Sequence, residues 1–147
     1  MQPHEFEDLL AQVVRDDPRY PAVAYGFLRQ GLDYSVKLYS KPDHGPGRHV
    51  TGQELLEALR LCALQEFGPM ALTVLRAWGI QRTEDFGEMV FNLVKRSLLG
   101  KTEQDKKEDF ANGYDFTEAF AAPFLPRAAR TRPRRTPRRP TQPQDTP

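Results

Sequence analysis

Phe6, Leu9, Leu10, Val13 and Val14 recur at the i, i+3, i+4, i+7, i+8 spacing that gathers apolar side chains on one helical face. The pattern predicts a first helix that stops at Asp16, Asp17 and Pro18. Pro21 suits the first turn of a second helix, where an internal N–H partner is not required. That helix is expected to reach the neighbourhood of Tyr39, with Val23, Phe27, Leu28, Val36 and Leu38 among its apolar contacts. Gly26 and Gly31 weaken it, and "DYSVKLYS" also fits extended chain. "KPDHGPGR", Lys41 to Arg48, has two glycines and two prolines and reads as a loop.

The clearest local signal is "HVTGQELL". The Thr51 hydroxyl is placed to accept the N–H of Glu54, whose side chain reaches back to Thr51 in a capping box, and Val50 and Leu55 fit a hydrophobic staple. Leu55, Leu56, Leu59, Cys62, Ala63 and Phe67 then form one stripe. Gly68 fits a left-handed C-terminal position and Pro69 opens the next helix, whose inner face is Val74, Leu75 and Trp78 and whose end is Gly79. Thr83 reads as the N-cap of a further helix, with Glu84 and Asp85 at its positive end. Phe86, Met89, Val90, Leu93, Val94 and Leu98 give that helix its apolar face, and Gly100 stops it.

"KTEQDKKEDF" repeats the cap-then-acid pattern with Thr102 and Asp105 and predicts a short helix. Tyr114, Phe116 and Phe120 of "NGYDFTEAF" are expected to fold back onto the bundle. From Pro123 prolines recur, and large apolar side chains end at Leu125, so that segment cannot bury enough surface to offset its ordering entropy. The expected fold is mainly α: one compact bundle of five to six helices over residues 1–122, followed by a disordered basic tail over 123–147. A small hairpin or wing, near Tyr34–Tyr39 or after Leu98, is the alternative within the bundle.

Composition agrees with one domain. The chain has 147 residues, and its 39% hydrophobic content suffices for one modest core. The single cysteine, Cys62, excludes an internal disulfide. No unbroken apolar run nears the ~20 residues of a membrane span. The start, "MQPHEFEDLL", is acidic and lacks a signal pattern. The expected location is the cytoplasm, with no membrane partner.

A net charge of +1 conceals a division. Residues 127–147 carry seven Arg and one Asp, a net +6, and the rest carries 14 basic and 19 acidic residues, a net −5. The seven are Arg127, Arg130, Arg132, Arg134, Arg135, Arg138 and Arg139. Guanidinium groups bind phosphate in pairs of hydrogen bonds, and arginine-rich segments drape on RNA, so these residues are the expected nucleic-acid contacts. No aromatic lies among them to stack on bases, which leaves nonspecific attraction to RNA or the ribosome rather than sequence readout. A solvated accessory tail, and a polyproline ligand at "PRRP", are the competing readings.

Catalytic chemistry finds little footing. His4, His44 and His49 lack helical metal-ligand spacing. Cys62 sits on an apolar stripe, where a thiol acts as a small hydrophobe. Glu84, Asp85 and Glu88 form an acidic group that could hold a cation, but the helix dipole explains the first two as well. Asp105, Glu108, Asp109, Asp115 and Glu118 do not follow the ligand order of a calcium loop. No phosphate-binding glycine loop or nucleophile elbow occurs. The reading therefore assigns no catalytic residue, cofactor-binding residue, metal ligand or cofactor.

Two further outlines bear on function. "VLRAWGIQRTEDFGEMVFNLV" has the helix, short turn, helix order of a helix-turn-helix, and "LLGKTEQ" would begin a wing. Its second helix would lead into the groove with Glu84, Asp85 and Glu88, which phosphates repel. An enzyme of unrecognised type would instead gather buried acids and other polar groups such as Glu66, Asp85 or His49 in a pocket.

"DPRYPAVAYGFLRQGLDY", "HVTGQELLEALRLCAL", "WGIQRTEDFGEMVFNLV" and "KTEQDKKEDF…YDFTEAF" resemble an uncharacterised family of short bacterial proteins found mainly in Planctomycetes and Verrucomicrobia. The resemblance spans about residues 4–120, with several blocks in the same order, and leaves the Arg/Pro tail outside. It implies a bacterial protein and brings no activity, cofactor or catalytic residue with it. The functional expectation is a non-enzymatic interaction module that binds a protein or ribonucleoprotein partner, its tail adding nonspecific nucleic-acid attraction. A winged-helix-like DNA-binding regulator and the buried-acid enzyme are the alternatives. Oligomeric state and the partner's identity stay open.

Overall fold

A computed structural model describes residues 3–42, 47, 49–99 and 106–126, with Pro3 and His4 described through their backbone alone. Six α-helices occur among them: α1 Pro3–Asp16, α2 Ala22–Leu38, α3 Gly52–Phe67, α4 Ala71–Ala77, α5 Thr83–Lys95 and α6 Phe116–Phe120. Three single 3-10 turns, Gly68–Met70, Lys107–Phe110 and Ala122–Phe124, join or end them. The described residues contain no strand. The mainly-α expectation therefore holds. The seven tail arginines, Thr102 and Asp105 lie outside the described residues.

Local sequence signals explain most boundaries. Thr51 accepts the Glu54 N–H at 3.1 Å and the Thr51 N–H reaches Glu54 Oε1 at 3.1 Å, completing the capping box of α3. α1 ends at Asp16, just before Pro18. Gly68 takes φ +52°, and a 3-10 turn around Pro69 precedes α4, so Pro69 does not itself begin the α-helix.

The expected reach of α2 to the neighbourhood of Tyr39 holds: Tyr34–Leu38 is its last part, not one arm of the alternative hairpin, because packing of α2 along α3 extends the helix through its weak formers. Gly31 serves that packing, since a Cβ there would overlap the Leu59 side chain. Beyond Leu99 the described chain resumes as a 3-10 turn, so no wing strand is found among the described residues. One expectation is corrected: Thr83 is the first residue of α5 rather than its cap. Asp85 does the capping by accepting the N–H groups of Gln81 at 2.8 Å and Arg82 at 3.2 Å. Thr83 is thereby released to face inward, where it is fully buried.

The core runs through all six helices. Tyr20, Tyr25, Leu28, Leu59, Leu75, Ile80, Phe86, Met89 and Phe120 are its largest fully buried apolar side chains. Phe27, Phe67 and Trp78 form one aromatic cluster, with ring centroids 5.6–5.7 Å apart. Tyr114, Phe116 and Phe120 form another, and Phe116 also meets Phe86. The second cluster is the expected fold-back of the C-terminal aromatics.

The stretch Gly52–Ala77 is long and apolar enough to cross a membrane by length and composition alone. Its apolar stripe has a simpler employment, because Leu55, Leu56, Ala58, Leu59, Cys62, Ala63, Ala71 and Leu75 are all buried in the bundle.

Candidate functional site

An open groove of about 630 Å³ lies between α2 and α3. Helical spacing brings Gly26, Arg29, Gln30, Asp33 and Lys37 to one side of α2, and Glu66 faces them from α3. Gln30 donates to Glu66 Oε1 at 2.9 Å across the groove. Arg29 lies over the Phe6 ring, its guanidinium carbon 4.4 Å from the centroid. Asp33 and Lys37 make no ion pair with each other or with another described residue. Two cations and two anions share the rim, so the groove has no net sign.

Gly26 adds a second feature. It is exposed in the middle of α2, and a Cβ there would meet nothing within 4 Å. Glycine in a helix costs about 0.5–1 kcal/mol against alanine, and nothing within the bundle requires it here. Its effect is to keep the groove floor low. Val23, one turn earlier, is 57% exposed. Cys62 lines the same groove but is buried, and burial pushes its thiol above the usual range, which keeps it protonated and a poor nucleophile.

A separate polar junction ties the α1–α2 connection to α5. Asp17 accepts from Arg19 Nε at 2.8 Å and a terminal Arg19 nitrogen at 2.7 Å, a two-pronged pair, and from Asn92 Nδ2 at 2.8 Å. The Arg19 guanidinium hydrogen-bonded to it holds the Asp17 carboxyl well below the usual carboxylate range. Asn92 also donates to the Tyr25 hydroxyl at 3.0 Å. Arg96 joins α5 to α1 through Gln12 at 2.7 Å and through Asp16. Glu88 takes Arg19 at 3.4 Å and Lys107 at 3.3 Å.

The acidic group foreseen at the start of α5 is thus divided among different tasks. Glu84 accepts the Asn112 N–H at 3.2 Å, Asp85 caps α5, and Glu88 pairs with two cations. Asp85 also accepts from the Tyr20 hydroxyl at 2.5 Å. No group of three His, Cys, Asp or Glu among the described residues is arranged to hold a metal ion. Of Glu66, Asp85 and His49, Glu66 is exposed in the groove, Asp85 is held by these three donors, and His49 is half-buried ahead of the α3 cap. The junction itself had only one sequence signal, the two-residue spacing of Asp17 and Arg19; Asn92 is 75 positions from Asp17.

Tyr20 yields a pH prediction. Burial first, and then the Asp85 carboxylate, push its phenol above the ordinary range; burial does the same for Tyr25. The neutral phenols therefore contribute stability that is fully present below the ordinary tyrosine pKa of about 10. That contribution falls as pH rises above it, by up to about 1.4 kcal/mol per pH unit for each phenol. Denaturant unfolding between pH 9 and pH 11 is expected to show this loss, with a shallower slope in Tyr20→Phe. Equal slopes in the two proteins would refute the assignment to Tyr20.

α5, the candidate recognition helix, presents no fully exposed side chain from Thr83 through Val94; its first exposed residue is Lys95. A helix that reads a major groove needs a free face of several side chains. No protein-family model matches the chain, and neither curated proteins nor solved structures provide a match.

Proposed function

We propose that this chain is a non-enzymatic interaction module. The helical body binds a protein or ribonucleoprotein partner, and the arginines of the tail add nonspecific attraction to nucleic acid. The α2–α3 groove carries the reading for the body. It is open, balanced in charge and unobstructed at Gly26, which suits the polar and backbone surface of a protein better than a polyanion. The charge division carries the reading for the tail, whose net +6 adjoins a body of net −5. The buried faces of α5 weigh against the winged-helix reading, and the three donors on Asp85 weigh against its use as a catalytic acid.

The two parts separate in one experiment on the full chain. With all seven tail arginines changed to glutamine, single-stranded RNA binding at 50 mM salt is expected to weaken at least tenfold. Full engagement of seven phosphates gives the unmodified chain a slope of about −5 in log affinity against log salt. Gly26→Trp is expected to leave that binding intact while releasing partners captured from bacterial extract. Duplex DNA binding that survives the arginine changes would support the winged-helix alternative instead. An unchanged partner set with Gly26→Trp would remove the groove from the proposal.

A further inference from the structure

A second cavity, of about 210 Å³, opens between α1, α2, α3 and the end of α5. Leucines dominate its wall: Leu28, Leu55 and Leu93 are at most 5% exposed, and Leu32 is half-buried. Arg29 is the one polar side chain of the lining. Its guanidinium caps the Phe6 ring, which also lines the cavity, and it makes no ion pair with a described residue.

Protein interiors pack as closely as organic crystals and leave few voids larger than a water molecule. A pocket walled by leucines favours apolar occupants over water. The chain's remaining segments are poorly equipped to fill it. Apart from Met1, the residues outside the described ones carry no Val, Leu, Ile, Met or aromatic side chain. The occupant that this lining suits is a small molecule. Its chemistry is set by a leucine wall and one cation, which together match an apolar body with an anionic end. The arginine fork pairs a carboxylate through two parallel hydrogen bonds.

We propose that this cavity binds one medium-chain carboxylate, with its hydrocarbon among Leu28, Leu32, Leu55 and Leu93 and its carboxylate on Arg29. Room for about seven groups the size of a water molecule, at about 30 Å³ each, fits a chain of about six to eight carbons. The cavity shares Arg29 with the groove but no other lining residue, and the tail has no part in it.

Octanoate and 1-octanol, which share a chain and differ in charge, test it by calorimetric titration of the full chain below their aggregation limits. Octanoate is expected to bind with one-to-one stoichiometry and to raise Tm, with octanol at least tenfold weaker. Arg29→Gln should erase the difference between the two. Leu32→Phe, or Leu99→Phe should the first variant lose its helical circular dichroism, narrows the cavity and should weaken octanoate at least tenfold. The proposal is overturned if octanoate shows no saturable binding, if octanol binds as tightly, or if the folded cavity variant binds octanoate as before.

Discussion

Gly79→Ala is expected to destabilise the protein by about 2–5 kcal/mol, the combined cost of a left-handed alanine and of backbone displacement. Gly79 takes φ +83° in the turn between α4 and α5. A Cβ at this position would overlap the carbonyl oxygen of Arg19, a backbone atom that cannot swing aside. The turn thus requires glycine twice, for its dihedral and for the chain passing over it. That chain leads directly to Tyr20, whose hydroxyl reaches Asp85 at the start of α5. Displacing Arg19 should disturb the Asp17–Arg19–Asn92 junction as well. Urea unfolding would show the midpoint falling, and amide exchange would quicken at residues 19–25 and 80–86. A midpoint within 0.5 M of the unmodified protein would show that the turn tolerates a side chain and that the close passage is not a constraint.

Thr83→Val should cost about 2–6 kcal/mol although the two side chains have nearly the same shape, because two backbone groups lose their partner at about 1–3 kcal/mol each. The Thr83 hydroxyl donates to the Phe110 carbonyl at 2.6 Å and accepts from the Gly113 N–H at 3.0 Å. Both bonds fasten the segment that carries Phe110, Tyr114, Phe116 and Phe120 into the core. Tyr114 adds a third fastening by donating to the Leu56 carbonyl at 2.9 Å. Thr83→Ser keeps the hydroxyl and should recover most of the loss, surrendering about 1 kcal/mol for the missing methyl group. Faster amide exchange across residues 110–120 in Thr83→Val, with α2 and α3 unchanged, would locate the effect. Equal stability of the valine and serine variants would assign Thr83 to packing alone.

The two substitutions show why the helices were more legible than their joints. The capping box at Thr51 and Glu54 is complete within four consecutive residues, so local chemistry determines it. Thr83, followed by Glu84 and Asp85, also read as an N-cap, yet Arg82 holds that position in α5, with its N–H accepted by Asp85, and the threonine turns toward a carbonyl 27 positions away. An inward hydroxyl and a capping hydroxyl look alike until the distant partner is known. The α2–α3 groove was hidden for a similar reason. Arg29, Gln30, Asp33 and Lys37 read as an ordinary solvated face, and Gly26 as a weak point, until the packing of α3 supplied the facing wall.

The sequence alone determined the helical class, most helix ends and the opposition of an acidic body to seven arginines, because periodicity, capping and charge act over a few residues or by composition. Tertiary structure decided that α2 continues through Tyr34–Leu38, that α5 is enclosed rather than presented, and that a groove and a leucine-lined cavity lie on either side of Arg29. Those outcomes depend on which faces meet across the bundle. Burial of apolar surface against distant neighbours then outweighs the small local preferences that a short stretch of chain expresses.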